Sequence, residues 1–292
     1  MKSGFVAILG RPNVGKSTLL NALLSKKVSI VTPKAQTTRD SIMGILNLKD
    51  AQIVFVDTPG IFRGGAKLDS TMRKAAFSSS RDVDALLYLL DASIDSYEED
   101  KRIFDSIHSE APRILILNKI DLITAGQAEK KKESIAALFP AVPLIEASFK
   151  TNFGIKDVTK AVLPLLSEGE PFFPDDVYTD KDAAYQAKEI IRSKLLQFLR
   201  DEIPHQSAVL IEELQSKKGG IVIKAKIIVE RESHKGIVIG KGGAMIKKIS
   251  MASRREIESN WHKRVLSLDL EVEADPGWRD DPRKLDELGY SL

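Results

Sequence analysis

A phosphate-binding loop is predicted close to the start of the chain. Two glycines, a lysine and a serine fit the spacing G-x-x-x-x-G-K-[ST], after an apolar strand and at the beginning of a predicted helix. The glycines let backbone N–H groups converge on phosphate oxygens, and the helix amino terminus adds a favourable dipole. Lys16 can place its charge on the β- and γ-phosphates, while the hydroxyl of Ser17 can ligate Mg²⁺. The residues expected to contact phosphate are Gly10, Arg11, Pro12, Asn13, Val14, Gly15, Lys16 and Ser17.

A second motif, Asp57-Thr58-Pro59-Gly60, ends the next strongly apolar strand. By itself this run is also a fair turn sequence. Because it follows the phosphate loop by some forty residues, it predicts a carboxylate on the Mg²⁺ side of the phosphates and a sensor of the γ-phosphate.

A third motif, Asn118-Lys119-Ile120-Asp121, follows the predicted strand 113–117. A carboxylate at this place can accept hydrogen bonds from the N1–H and the exocyclic amine of guanine. Adenine presents an acceptor at N1 and would leave that carboxylate unpaired, which is the cost that discriminates between the bases. The amide of Asn118 can brace the loops, and the stem of Lys119 can cover the base. The motif therefore predicts a site for GTP or GDP.

In this order, the three motifs resemble those of the translation-factor-related GTPases, the class that includes bacterial ribosome-assembly GTPases. The resemblance spans residues 1–167 and implies that Gln36-Thr37-Thr38-Arg39-Asp40 is the first switch. Thr38 is the preferred Mg²⁺ ligand of this segment, with Thr37 as the alternative. The resemblance implies Lys16, Thr38 and Gly60 as catalytic residues and Ser17, Thr38 and Asp57 as Mg²⁺ ligands.

Two positions depart from the pattern of these GTPases. The family's last guanine loop usually reads Ser-Ala, but here the order is Ala147-Ser148, so a backbone N–H from Ser148 is the contact expected for the guanine carbonyl. Ile61 follows Gly60 where many GTPases carry a water-orienting glutamine. Since isoleucine cannot bind the attacking water, we expect slow intrinsic hydrolysis, with the missing group supplied by a partner or a cation. In related GTPases the position of Asn13 helps to hold K⁺, which gives a hypothesis of K⁺ dependence.

Apolar runs and amphipathic stretches alternate through the first 167 residues and predict an α/β domain with a mixed, mostly parallel sheet covered on both faces. Ile42–Leu46 is expected to be an edge strand. The predicted buried strands are 5–9, 52–56, 85–90, 113–117 and 142–147, and the predicted helices are 18–24, 68–78, 98–108, 126–139 and 155–166.

The rest of the chain predicts a second, smaller α+β domain. Residues 168–179 combine prolines with acidic residues and are expected to be the linker, so that the domains span 1–167 and 180–292. Beyond the linker the sequence predicts a helix, two strands, a glycine-rich loop, another helix and an alternating strand. Residues 217–264 carry 13 basic and 4 acidic side chains, although the whole chain has a net charge of only +3. This basic block indicates a polyanion-binding surface.

The glycine-rich loop contains the G-x-x-G pattern of a KH domain, which clamps the backbone of about four single-stranded nucleotides. A glycine hinge between helices is the alternative interpretation, and the flanking apolar run and basic block favour RNA. Trp261 is expected to pack in the core. The expected RNA-binding residues are Ile237, Ile239, Gly240, Lys241, Gly242, Gly243, Lys247 and Lys248.

The whole chain resembles a bacterial family of GTPases that carry a type II KH domain and a tail like Pro276-Gly277-Trp278-Arg279-Asp280-Asp281. Membership implies binding near the 3′ end of 16S rRNA, a role in 30S subunit assembly, and peripheral association with the membrane. For the acidic residues Asp280 and Asp281 of the tail, the expectation is either a structural role beside the basic groove or repulsion of the wrong RNA. Two alternatives are a tRNA-modifying GTPase, against which the lack of cysteine argues, and a constitutive RNA-binding protein whose GTPase domain is only structural.

Composition excludes other classes. The chain has no cysteine, which rules out thiolate catalysis and cysteine-ligated metal sites and favours a reducing compartment. No apolar run approaches the roughly 18 residues of a membrane span, and the amino terminus lacks the pattern of a secretory signal. A cytoplasmic monomer is the expectation, since nothing such as a heptad seam indicates an oligomer.

Overall fold

The structure, a computed structural model, describes residues 1–29, 31, 41–58 and 82–290. These residues divide into two compact units. The first contains 1–29, 41–58 and 82–180, and the second contains 181–290. Across the described ranges, the helices are too short or too polar to cross a bilayer.

The first unit is built on a mixed sheet whose strands are mostly parallel, as the sequence predicts. The central strand β1 (Lys2–Gly10) has a parallel neighbour on each side, β3 and β4. At one edge β2 runs antiparallel to β3, which confirms the predicted edge strand. The described strands follow the order β2-β3-β1-β4-β5-β6, with β2 at Ile42–Leu48, β3 at Ala51–Asp57, β4 at Ala85–Asp91, β5 at Arg113–Asn118 and β6 at Leu144–Glu146.

Helices connect these strands and cover the sheet. Helix α1 begins directly after the phosphate loop, and α3 begins with a capping box in which Thr124 and Gln127 each bind the other's backbone N–H. The predicted helix 68–78 lies outside the described residues. The described helices of this unit are α1 (Lys16–Leu24), α2 (Glu98–Asp105), α3 (Ala125–Leu138) and α4 (Ile155–Val162).

The segment predicted to be a linker packs against the first unit. Its beginning, β7 (Ser167–Glu168), pairs antiparallel with the start of β1. The side chain of Gln52, fully buried in β3, accepts hydrogen bonds from the backbone N–H groups of Phe172 (2.7 Å) and Phe173 (3.0 Å) and donates to the carbonyl of Phe173 (2.8 Å). Because an unpaired buried amide is costly, these bonds tie the segment to the sheet.

The second unit has the order helix, two strands, two helices, strand and a short final helix. Strands β8 and β9 are antiparallel, β9 and β10 are parallel, and β9 is central. Helices α6 and α7 are joined by the glycine-rich loop. The elements are α5 (Ala183–Phe198), β8 (Ser207–Lys217), β9 (Gly220–Val229), α6 (Glu232–Ile239), α7 (Ala244–Trp261), β10 (Val265–Ala274) and α8 (Pro282–Glu287).

The carboxy-terminal tail belongs to the packed structure of this unit. Trp278 is fully buried and donates from its indole nitrogen to the carbonyl of Gln206, and Tyr290 is 2% exposed. Lys188 of α5 donates to the carbonyl of Leu288 (2.7 Å), and its ammonium lies 4.2 Å from the centre of the Tyr290 ring. These contacts make Trp278 and Tyr290 part of the core of this unit, while the role expected for Asp280 and Asp281 stays a prediction.

Candidate nucleotide and RNA sites

The polar motifs of the first unit follow the carboxyl ends of neighbouring parallel strands. Loops after β1, β3, β5 and β6 carry them, and these ends lie at one edge of the sheet, where ligands bind in open α/β folds. The sheet order thus brings together segments that are more than 130 residues apart in the sequence.

The phosphate loop has a backbone that only glycine suits at its two ends. Gly10 has φ +142° and a side chain there would meet the carbonyl of Leu89, while Gly15 has φ +109° and a Cβ there would lie 2.3 Å from the amide nitrogen of Asn118. Lys16 points back along the loop and donates to the carbonyls of Gly10 (3.1 Å) and Arg11 (2.8 Å). Burial lowers the pKa of Lys16 to about 8, and the charge of Asp57 opposes this shift. Because this ammonium is poorly hydrated, a nearby phosphate would strongly stabilise its charged form.

Two of the three residues expected to bind Mg²⁺, Ser17 and Asp57, lie next to each other. The hydroxyl of Ser17 donates to Oδ2 of Asp57 (2.7 Å), and the hydroxyl of Ser29 donates to the same oxygen (3.0 Å). Oδ1 of Asp57 is buried and has no hydrogen-bond partner among the described residues. Burial raises the pKa of Asp57, while Lys16 and the two serine hydroxyls oppose this. A buried carboxylate with an unused oxygen beside a serine hydroxyl fits a hard divalent cation.

The guanine motif is braced from two sides. Asn118 donates to the carbonyl of Val14 (2.8 Å) and accepts from the backbone N–H of Phe149 (3.2 Å), so its amide joins the phosphate loop to the loop after β6. Lys119 has a left-handed backbone (φ +68°) and pairs with Asp91. Although burial acts to raise it, the pKa of Asp91 is lowered by hydrogen bonds from Lys119 and Ser93. A lysine with positive φ has a strained backbone, and such strained residues are concentrated at functional sites.

Ser148 makes two hydrogen bonds within the loops of this site. Its backbone N–H donates to the carbonyl of Phe153 (3.1 Å), and the expected contact from this group to the guanine carbonyl stays a prediction. Its hydroxyl donates to Oδ1 of Asp121 (2.6 Å). A serine hydroxyl therefore lies against the carboxylate that is proposed to read guanine.

The arginine of the phosphate loop is held by an acidic pair that sequence reasoning missed. Arg11 contacts Glu99 (2.8 Å) and Asp100 (3.6 Å), both at the start of α2. Asp100 is 1% exposed and also accepts a hydrogen bond from Tyr88 (3.3 Å). Burial raises the pKa of Asp100 to about 6, while Arg11 and Tyr88 oppose the shift. No local pattern in the sequence could have paired these residues, because they are about ninety positions apart.

The G-x-x-G loop of the second unit combines exposure with a backbone that favours glycine. Gly240, Gly242 and Gly243 all have positive φ. A Cβ at Gly240 would meet Met245 at 2.8 Å, whereas at Gly242 and Gly243 no atom of the described chain lies within 4 Å of such a Cβ. Packing requires the first glycine, and the space over the other two is open to a ligand backbone.

The basic and apolar residues expected to bind RNA have different surroundings. Lys241 and Lys247 are exposed, and Ile237 is 50% exposed beside the loop. Ile239 packs partly against the core, and the ammonium of Lys248 lies 4.4 Å from the centre of the Phe198 ring.

Other members of the basic block are already engaged within the unit. Lys224 and Lys226 form ion pairs across the sheet with Glu213, Glu212 and Glu273. Trp261 packs against the core and donates to Gln186 (3.1 Å), as expected.

Several predicted residues fall outside the described part of the chain. They are residues 36–40 of the expected first switch, which include Thr37 and Thr38, together with Pro59, Gly60 and Ile61. Thr58 is described: it is fully buried, and its hydroxyl donates to the carbonyl of Ile8 (2.9 Å).

Comparison with known proteins identifies the two domains that carry these candidate sites. Residues 5–119 match the family model of a 50S ribosome-binding GTPase, and residues 202–279 match that of a KH domain. Proteins named GTPase Era are 42% identical in Geotalea daltonii, over 99% of this chain and 97% of the relative, and 45% identical in Fusobacterium nucleatum, over 99% of each.

Solved structures of similar proteins cover the whole chain. One is a single-residue variant of Aquifex aeolicus Era bound to GDP·AlF₄⁻, and another is Era in complex with MgGDPNP and nucleotides 1506–1542 of 16S ribosomal RNA. Each has a TM-score of 0.96, 38% sequence identity and complete coverage of both chains.

The Arg11–Asp100 contact gives a prediction that separates binding from stability. We expect Asp100→Asn to weaken GTP binding about three- to tenfold, because the amide no longer attracts Arg11 through charge. The raised pKa means that the folded state binds a proton between about pH 4 and 6 that the unfolded chain has released. The stability from this group is therefore complete below about pH 4 and is lost as the pH rises through about 6.

The asparagine variant should lose this pH dependence and be no less stable at pH 7. GTP titration and urea unfolding at pH 5 and 7 measure the two effects. Glu98→Gln, an exposed change in the same helical turn, serves as the control. Unchanged GTP affinity in Asp100→Asn would contradict a role for this contact in holding the loop.

Proposed function

The chain belongs to the GTPase Era family, and on this premise we propose that it is a nucleotide-switched factor that binds 16S rRNA near its 3′ end during assembly of the 30S subunit. It is a GTP-binding and GTP-hydrolysing protein with an RNA-binding KH domain. The observation that carries the proposal is the presence, in one chain, of a braced guanine-nucleotide site and an exposed G-x-x-G loop with open space over Gly242.

We propose that the phosphate loop, Lys16 and Arg11 bind the triphosphate, with Ser17, Asp57 and Thr38 holding Mg²⁺. When bound, Mg²⁺ neutralises charge on the β- and γ-phosphates. Desolvated Lys16 adds a cation whose attraction to phosphate is strengthened by its burial. Gly60 is proposed to sense the γ-phosphate. Because Ile61 offers no hydrogen bond to water, intrinsic hydrolysis is expected to be slow.

We propose that Asp121 reads guanine, with the hydroxyl of Ser148 fixing the carboxylate and the stem of Lys119 covering the base. Ser148 Oγ binds Oδ1 of Asp121, which leaves the carboxylate's remaining acceptor capacity for the base. The Lys119–Asp91 pair holds the lysine stem along the loop.

Binding to ribosomal RNA and association with the membrane are proposed by analogy with the family. A similar protein has been solved with nucleotides 1506–1542 of 16S ribosomal RNA, which supports a target in this part of the rRNA. We propose that Lys241, Lys247 and Lys248 contact RNA phosphates while Ile237 and Ile239 line the base groove. The 30S subunit as partner, peripheral membrane association from a cytoplasmic location and a monomeric state rest on the family alone.

Asp121→Asn should change the preferred base from guanine to xanthine, because the amide can donate a hydrogen bond to the carbonyl of xanthine. We expect the affinity for GDP to fall by about a hundredfold or more and that for xanthosine diphosphate to rise. Competition against a fluorescent guanine nucleotide measures both. Asp95→Asn removes an exposed acid of the same unit that lies outside the three motifs, and it should change neither affinity. Retained selectivity for guanine in Asp121→Asn would refute the assignment.

Gly242→Asp should weaken binding to a 16S rRNA 3′-end oligonucleotide by roughly tenfold or more, because the new carboxylate lies where phosphate is expected. Aspartate tolerates a left-handed backbone, and no atom of the described chain obstructs it at φ +58°. Gly277→Asp is a matched control, since Gly277 also has positive φ (+81°) and open space around its Cβ position. Electrophoretic mobility shift or fluorescence anisotropy measures binding, with a scrambled oligonucleotide as reference. Equal losses in the two variants would place the groove elsewhere.

We also propose that GTP hydrolysis depends on K⁺ and that Asn13 helps to hold this cation. Asn13 has a left-handed backbone in the phosphate loop. GTP hydrolysis should be faster in K⁺ than in Na⁺ at equal ionic strength. The Asn13→Ala variant should lose the difference. Equal rates of the unmodified protein in the two salts would remove the hypothesis.

A further inference from the structure

We propose that Ser29, which lies in none of the recognised motifs, is a positioning residue for the carboxylate of Asp57 that holds Mg²⁺. The inference rests on the nucleotide and Mg²⁺ site proposed above and adds a residue to it.

The carboxylate of Asp57 is held through one of its two oxygens. Oδ2 accepts hydrogen bonds from Ser17 (2.7 Å) and from Ser29 (3.0 Å), whereas Oδ1 has no partner in the part of the chain that the structure describes. Asp57 is fully buried and Ser29 is 3% exposed, so water does not compete for these bonds. Two donors on the same oxygen fix the plane of the carboxylate and leave the other oxygen with its full capacity as an acceptor or ligand.

Ser29 is itself fixed by the helix that follows the phosphate loop. Asn21 of α1 accepts from the backbone N–H groups of Val28 (2.9 Å) and Ser29 (3.0 Å) and donates to the carbonyl of Ser29 (2.8 Å). These three bonds hold the backbone on both sides of the Ser29 Cα. Folding has therefore already ordered the segment from which the hydroxyl reaches Asp57.

Ser17 and Ser29 have different tasks in this arrangement. Ser17 is proposed to use its oxygen as a Mg²⁺ ligand, so its position depends on the cation as well as on Asp57. The hydroxyl of Ser29 is bound to the carboxylate and is not proposed as a Mg²⁺ ligand. A donor that orients a metal-binding carboxylate commonly contributes about ten- to a hundredfold to metal affinity. We therefore expect Ser29 to tighten Mg²⁺ binding without changing the binding of nucleotide in the absence of the cation.

The test is the Mg²⁺ dependence of GDP binding by the full chain. Fluorescent GDP is titrated at saturating Mg²⁺ and in EDTA, and its dissociation rate is followed over a range of Mg²⁺ concentrations. Ser29→Ala should need roughly tenfold more Mg²⁺ for the half-maximal effect, while its affinity in EDTA stays within about twofold of the unmodified protein.

Two further variants separate the hydroxyl from other causes. Ser29→Thr keeps the hydroxyl and should restore most of the Mg²⁺ response. Ser25→Ala removes an exposed serine at the end of α1, in the same segment, and should behave as the unmodified protein.

The outcomes distinguish this inference from the function on which it rests. An unchanged Mg²⁺ midpoint in Ser29→Ala, an equal loss with and without Mg²⁺, or a threonine variant as impaired as the alanine variant would overturn the positioning role alone. Failure of the unmodified protein to bind GDP, or to respond to Mg²⁺, would contradict the proposed function as well.

Discussion

The side chain of Asn118 is the contact on which the nucleotide site depends. Its amide, 3% exposed, binds the carbonyl of Val14 and the N–H of Phe149, so one residue fixes the loops after β1, β5 and β6 relative to each other. The close approach is open only because Gly15 has no Cβ. The phosphate part and the guanine part of the site are therefore joined through one side chain, and the binding energy of the base can be used to place the triphosphate.

Local sequence patterns were sufficient for the fold and for the centre of the nucleotide site. Apolar runs alternating with amphipathic stretches predict the parallel sheet, and the phosphate-loop glycines have the positive φ that the motif requires. The motif at Asn118 was expected to brace loops and does so. These predictions succeed because each feature is set by residues close together in the sequence.

Long-range contacts could not be predicted in the same way. Ser29 with Asp57, Arg11 with Asp100, and Gln52 with the segment after β7 join positions that only the folded sheet brings together. The hydrogen bonds of Ser148 could not be predicted either. Its backbone N–H is used by a tight loop that closes at Phe153, a detail of turn geometry that residue types alone do not specify.

The second unit shows how a basic block is divided between structure and binding. Lys224 and Lys226 are paired with glutamates across the sheet, so they neutralise charge within the unit. Lys241 and Lys247 are exposed beside a loop with open space above it.

We propose that the bound nucleotide controls how this surface binds RNA. The most direct test is the affinity for a 16S rRNA 3′-end oligonucleotide with a GTP analogue and with GDP, at fixed salt concentration. We expect tighter, sequence-selective RNA binding with the GTP analogue. Equal binding with both nucleotides would contradict control of RNA binding by the nucleotide.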